Sequence, residues 1–336
     1  MQKLFLHIIS LLTILLSACH PIDNFENNNR DSFDALWTII DEHYCFFEEK
    51  NIDWNDIYDK YAPLVNESMS KTQLFYVCSS MINELKDGHT NLSSGFETSY
   101  YRQWWSEYPQ NFNLRIIEEN YLNFNYKQLG AVIYKMLPQN IGYIYIPSFS
   151  SALGAGNIDW ILSDFRTANA LIIDLRDNGG GMMSAAEEWV RHFITEEKTI
   201  GYFIHKNGPS HNDFDSPYPI KISPLTDGYQ IWIKPVIIIT NRSTFSAANH
   251  LVMCMKELPQ VYHIGATTGG GAGMPYSQEL PNGWGLRMSA VKVQNSKGEI
   301  TEFGIKPDPN CEVNMSPIDE AQGIDSILEF AIDLLQ

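Results

Sequence analysis

The chain has 336 residues, of which 44% are hydrophobic and 19% charged, enough to bury a sizeable core. Asp and Glu number 40 against 23 Lys and Arg, a formal charge of −17 at pH 7, which argues against nucleic acid or an anionic lipid surface as the partner. Five cysteines are scattered without metal-like pairs or a short-loop framework, so buried free thiols are expected and neither a metal nor another cofactor is implied.

In chain order, Lys3 is followed by the apolar run Leu4 to Leu16 and then by Leu16-Ser17-Ala18-Cys19. The run is short for a bilayer span and has the layout of a secretory signal, placed at 1–18. Cysteine directly after small residues resembles the bacterial lipoprotein box, so Cys19 is the expected lipidation site. The lipid would then hold the chain to a cell-envelope membrane as its one bilayer contact. Residues 19–30 are polar and asparagine-rich, as suits a flexible tether.

A small helical domain is predicted over 31–91. Ser32 can cap a helix carrying Phe33, Leu36, Trp37, Ile40 and Tyr44 on one face, and Asp53 precedes a second with Trp54, Ile57, Tyr58 and Tyr61. A third follows Ser70, with Leu74, Cys78, Met81 and Leu85 in register and Gly88 at its end. The catalytic core is placed at 92–336. Short β-type runs are predicted at Tyr121–Tyr126, Ala131–Met136 and Ile141–Ile146. Strands at Ala170–Leu175, Val236–Ile239 and Val261–Ile264 then alternate with helices from about Met182 and Ser246, which predicts an α/β fold with a mixed sheet and crossover helices. The polar stretch Lys206 to Pro219 reads as a long surface loop.

Two strand-to-helix junctions carry the chemistry. Asp174-Leu175-Arg176-Asp177-Asn178-Gly179-Gly180-Gly181 leaves glycine N–H groups bare above the sheet, an anion or oxyanion site; no phosphate-loop ending accompanies it. In Thr240-Asn241-Arg242-Ser243-Thr244-Phe245-Ser246-Ala247-Ala248-Asn249, Ser246 is placed to attack at a helix start, where it could also act as a mere cap. The small residues behind it let a carbonyl approach, and the Ala247 N–H can stabilise the charge that forms. A serine nucleophile needs a base. His89 in Lys86-Asp87-Gly88-His89-Thr90, His250 four residues beyond Ser246, and His263 before the Gly265–Gly273 stretch are the candidates.

Taken together, these segments resemble the C-terminal processing, or tail-specific, serine peptidases, and within them the branch like the tricorn protease core. The resemblance runs through Asp87-Gly88-His89-Thr90, Ile141–Phe149, Asp174–Gly181, the Ser246 junction, Ile264–Gly271 and Glu302-Phe303-Gly304-Ile305-Lys306-Pro307-Asp308. It implies a ClpP/crotonase-like core and a serine endopeptidase acting on peptides or unfolded exported proteins, with Ser246 as nucleophile. The oxyanion hole would come from Ala247 with Gly179 or Gly180. The processing branch carries a lysine base where Gly271 stands, so the tricorn-like arrangement with His89 as base and Glu302 as its orienting group is implied instead. Gly88 stands where that branch has a serine, and Asn249 where the family often has glutamate. The stretch between Leu92 and Ala131 is too short for an inserted PDZ domain, which implies that the core itself grips the substrate. The alternative is a lipoprotein that binds a ligand on the same fold without proteolysis, since fold does not fix function. A carbohydrate-handling role would draw on Trp104 and Trp105, residue types more often found in cores.

Overall fold

A computed structural model describes residues 25–226 and 228–336. The signal segment, Cys19 and the first half of the tether, through residue 24, lie outside the described residues. In chain order the structure has α1 (Asn29–His43), α2 (Trp54–Tyr61), α3 (Lys71–Asn83), β1 (Asn91–Ser93), β2 (Lys127–Leu129), β3 (Val132–Met136) and β4 (Ile141–Tyr145). It continues with α4 (Ala155–Ser163), β5 (Ala170–Asp174), α5 (Met183–Val190), β6 (Lys198–His205), β7 (Tyr218–Ile222), β8 (Val236–Thr240) and α6 (Ala247–Met255). The last elements are β9 (Val261–Gly265), β10 (Gly273–Glu279), β11 (Gly285–Asn295) and α7 (Ser326–Leu334).

The chain divides into a smaller unit, described over 25–101, 208–213 and 275–289, and a larger unit of the remainder. In the smaller unit the N-terminal helices form where their caps allow. The α1 cap is Asn28, whose side chain accepts from the Asp31 N–H, so this helix starts ahead of the cap expected at Ser32, which is buried within it. Asp53 caps α2, and Ser70 with Gln73 forms a reciprocal capping box on α3. Phe33, Leu36, Ile39 and Ile40 of α1 are buried, as are Leu74, Phe75, Cys78 and Met81 of α3. The Trp37 indole donates to the Trp54 carbonyl and the Trp54 indole to the Trp37 carbonyl, 3.0 and 3.1 Å, tying α1 to the start of α2. β1 pairs antiparallel with the first residues of β11.

The larger unit is built on a six-stranded sheet of order β2-β3-β4-β5-β8-β9. β2, β3 and β4 pair antiparallel, whereas β4, β5, β8 and β9 run parallel, so the mixed α/β sheet expected from the strand and helix alternation is present. Side-chain alternation divides the core between the two faces. Leu171, Ile173, Val236 and Ile238 join one cluster with residues of α4, α5 and α6; Ile172, Ile237 and Ile239 join another with Ile327, Leu328, Ala331 and Ile332 of α7. Both faces of the parallel strands are therefore covered, and β5 and β8 open on apolar runs, Ala170–Ile173 and Val236–Ile239. The second half of β11 pairs with β6, and β6 with β7.

The strand expected at Tyr121–Tyr126 is absent. Ile117–Tyr121 forms a π-helical turn, and Asn123 and Phe124 adopt φ of 52° and 50°, a left-handed pair that no strand tolerates. The stretch read as a loop from Lys206 ends in β7, which begins at Tyr218.

Candidate active site

β5 and β8 are adjacent parallel strands, with Asp174 opposite Ile239, so both junctions emerge side by side at their carboxyl ends, the usual location of ligand sites in such sheets. Asn241, the first residue after β8, staples them. Its side-chain oxygen accepts from the N–H groups of Asp177 and Ser243 at 3.0 and 3.1 Å, and its amide donates to the Asp177 carboxylate at 2.7 Å. The Phe245 N–H donates to the Asn178 carbonyl at 3.0 Å and the Ser246 N–H to that of Gly270 at 2.9 Å.

Ser246 is held at φ 56° and ψ −121°. This is costly for a non-glycine residue, and such strain concentrates at functional sites. Its side chain makes no cap hydrogen bond to the helix, so the capping role weighed from the sequence is not the one it serves. The residue is half-buried between buried Phe245 and Ala247. Ala247 opens α6, where the first N–H groups lack intrahelical acceptors and the helix dipole favours negative charge.

The glycine loop comes up against this serine. At Gly180, φ is +96°, and a Cβ there would lie 2.7 Å from the Ser246 Cβ and 2.9 Å from the Ala247 nitrogen, so only glycine fits. Its N–H donates to the Asn178 side-chain oxygen at 2.9 Å and is thus already engaged, while a Cβ on Gly179 would face open space. A third segment closes the site. The Gly271 N–H donates to the Glu302 carbonyl at 3.1 Å, and the Glu302 carboxylate accepts from the Ala272 N–H at 2.8 Å. Glu302 therefore pins the turn whose Gly270 carbonyl receives the Ser246 N–H. Gly271 has φ +77° and a Cβ there would run into the Phe245 ring, so this backbone has no place for a lysine. Asn249 is consumed structurally: its side-chain oxygen accepts from the Thr268 hydroxyl at 2.7 Å and its amide reaches Thr301 at 3.3 Å.

The three histidines have different surroundings. His263, on β9, is fully buried with Nε2 2.7 Å from the Thr240 hydroxyl; burial, then the Lys256 charge, brings its pKa down to about 3. It is a structural neutral imidazole. His250 on α6 pairs through Nε2 with the Glu187 carboxylate of α5 at 3.0 Å and lies 3.6 Å from the Cys254 sulfur. His89 lies in the smaller unit, 4% exposed, and its backbone N–H donates to the Asp87 carboxylate at 2.7 Å. Asp87 is itself buried beside the Lys50 ammonium, 3.6 Å away. Burial pushes the Asp87 carboxyl up, but the Lys50 charge, followed by the His89 ring and backbone N–H, outweighs it and holds it below the usual carboxylate range. Sequence reasoning did not reach Lys50, which lies 37 positions before Asp87 with no periodicity joining them.

Sequence reasoning also missed a cavity of about 510 Å³ whose wall includes Gly179 and, from the segment before the π-helical turn, Trp104, Trp105 and Tyr108. Trp105 and Tyr108 are 42% and 50% exposed, so they are not core groups. Cys45, Cys78 and Cys254 are buried and Cys311 half-buried, none of the four in a disulfide; burial pushes the Cys78 thiol up to about 12, which leaves it inert. Among the described residues no group of three or more His, Cys, Asp or Glu side chains could hold a metal ion, and no helix is long and apolar enough to cross a membrane.

A strained serine at a helix start, a glycine loop pressed against it and a mixed sheet with both junctions at its strand ends define the class: an α/β protein with a candidate hydrolase site of the serine type. Residues 140–311 match peptidase family S41, and the chain belongs to that family of serine-type peptidases; residues 25–83 match the C1 domain of tricorn protease. The chain is 31% identical over 185 residues to the carboxy-terminal processing protease CtpA of Bacillus subtilis, covering 54% of this chain and 37% of that protein. It is 30% identical over 203 residues to the carboxyl-terminal-processing protease of Picosynechococcus, covering 59% and 45%. The chain thus spans less than half the length of these curated relatives. A crystal structure from Parabacteroides merdae, provisionally described as a peptidase, superposes with a TM-score of 0.87 at 45% identity, covering 92% of this chain and 96% of that one.

Proposed function

We propose that the protein is a serine endopeptidase on a ClpP/crotonase-like core, cleaving exported peptides or unfolded proteins with Ser246 as nucleophile and His89 as general base. The observation that carries this reading is the backbone of Ser246, a strained non-capping serine beside an open helix N-terminus. The neutral imidazole takes the hydroxyl proton as Ser246 Oγ bonds to the scissile carbonyl carbon. The oxyanion is received by the N–H groups of Ala247 and Gly179, the Gly180 N–H being engaged by Asn178. The proton then passes to the leaving amine, and water hydrolyses the acyl-enzyme by the same relay. Glu302 supports the site by holding the Gly270–Ala272 turn and, in the tricorn-like reading, orients the base.

The segment Leu16-Ser17-Ala18-Cys19 supports export and lipidation at Cys19, with the folded part beginning after the tether. The stretch between Leu92 and Ala131 supports a peptidase that grips its substrate without a PDZ domain. In the test, wild type and Ser246→Ala are assayed on unfolded casein and with a serine-directed fluorophosphonate. Wild type should hydrolyse and label at Ser246, and the folded variant should do neither. Labelling elsewhere, or turnover that survives the substitution, would remove Ser246 from the mechanism; an inert wild type would favour the non-proteolytic binding protein.

A further inference from the structure

The cavity lined by Gly179 is accounted for neither by the nucleophile nor by the oxyanion donors. Its wall is aromatic and anchored. The Trp104 ring stacks on Phe245, the residue before Ser246, at 4.2 Å between centroids and 24° between planes. The Arg242 guanidinium lies 4.5 Å from the centre of the Tyr108 ring. Arg242 also donates from Nε to the Trp104 carbonyl at 2.6 Å and from Nη1 to the carbonyls of Thr268 and Phe303 at 2.6 and 3.1 Å. One cation thus fixes the aromatic segment to both the serine loop and the Gly269–Gly271 turn. These are hydrogen bonds to neutral carbonyls, so the guanidinium keeps its charge at the cavity wall.

Asp177 stands on the same wall at φ 59°, its carboxylate held by the Asn241 amide at 2.7 Å. An arginine and an aspartate in one wall give neither an acidic nor a basic guest a clear advantage. What remains is ring surface. Trp105 and Tyr108, half-exposed on a charged chain, offer faces and edges to a further ring. The cavity adjoins the serine loop and the glycine loop, because Gly179, Arg242 and Ser243 line it and a Cβ on the next residue, Gly180, would lie 2.7 Å from the Ser246 Cβ.

We infer that this cavity is a specificity subsite that takes an aromatic side chain of the peptide substrate, from a residue flanking the scissile bond. The inference rests on the peptidase reading. A guest ring would pack against the Trp105 and Tyr108 rings that line the cavity, and a tyrosine guest could also donate its hydroxyl to Asp177. Aliphatic guests gain the burial but not the ring–ring geometry, a difference of the order of tenfold in binding.

The test uses the full chain carrying Ser246→Ala, so that binding is read without turnover, against hexapeptides in which Phe, Tyr or Trp replaces Ala at each position in turn. Fluorescence anisotropy should find one position at which an aromatic residue binds tenfold or more tighter than alanine. Adding Trp105→Ala or Tyr108→Ala should bring that ratio toward one, and Trp105→Phe should restore most of it, which separates ring contact from misfolding. A flat profile across the peptides, or a preference untouched by both alanine substitutions, overturns the subsite. Fluorophosphonate labelling of the otherwise native chain keeps the two readings apart. Labelling of Ser246 with a flat profile removes the subsite and leaves the peptidase, while aromatic-selective binding without labelling or turnover leaves the subsite and removes the peptidase.

Discussion

Ser246 shows how one residue's backbone can carry more information than its side-chain type. A serine before Ala247 and Ala248 reads equally well as a helix cap, and its φ of 56° decides between the two because a capping residue sits in the extended region with its oxygen on the helix N–H groups. His89 is a different case. The turn Asp87-Gly88-His89 is visible in the sequence, but the buried Lys50 that holds the Asp87 carboxylate charged is not. With His89 as base, His89→Ala should lower kcat/KM by several orders of magnitude in a variant whose circular dichroism matches wild type. In wild type, kcat/KM should fall on acidification as the His89 ring becomes protonated, because the charged ring cannot accept the serine proton. An acidic limb that persists unchanged in an active His89→Ala protein would move the base to another group, His250 first.

At the scale of elements, the helices and parallel strands were legible because their periods are simple: apolar residues three and four apart in α1 and α3, and uninterrupted apolar runs in β5 and β8. The turn that replaces the expected strand at Tyr121–Tyr126 was not, since Tyr, Leu, Phe and Tyr suit a strand and only the left-handed Asn123 and Phe124 betray the turn. β11 also escaped, although at 11 residues it is the longest strand among the described residues. The junction of β5 with α5 allows a sharp test. Gly180→Ala would place a methyl 2.7 Å from the Ser246 Cβ on a backbone at φ +96°, strained at any spacing. The serine loop must move, so peptide hydrolysis should drop at least a hundredfold while peptide burial elsewhere, read by the thermal midpoint, changes by only a few degrees. Wild-type turnover in Gly180→Ala would mean that this contact does not set the geometry of the nucleophile.

On the scale of the larger unit, its layers are joined by a buried ionic knot. Arg176 is fully buried, its guanidinium reaching the Asp174 carboxylate at 2.5 Å and that of Asp325, the N-cap of α7, at 2.8 Å. The Tyr143 hydroxyl donates to Asp174 at 2.9 Å, and the Phe112 ring lies 4.6 Å from the guanidinium carbon. Burial raises the Asp325 carboxyl despite the opposing Arg176 charge. Removing the cation leaves two carboxylates with no counter-charge in a dry interior, and breaking such an arrangement costs about 3–5 kcal/mol. Arg176→Met should therefore lower the denaturant midpoint markedly, and the loss should shrink when Asp174→Asn and Asp325→Asn are added. A single variant as stable as wild type would show that the knot does not hold α7 to the sheet.

Sequence alone determined the α/β alternation, the N-terminal helices and the two junctions, because each is written in local spacing or in a contiguous motif; it offered Ser246 as candidate nucleophile and three histidines as candidate bases, among which only the family resemblance singled out His89. Tertiary structure alone decided that Ser246 is strained and does not cap its helix, that the Gly180 N–H is engaged by Asn178, that Gly271 excludes a lysine, and that Arg176 meets Asp325 149 residues further on. The division has a physical cause. Periodicity and turn chemistry act over a few residues and leave a trace in composition, whereas a close approach between loops on neighbouring strands, or a charge buried against a distant partner, is specified by how the sheet brings remote segments together.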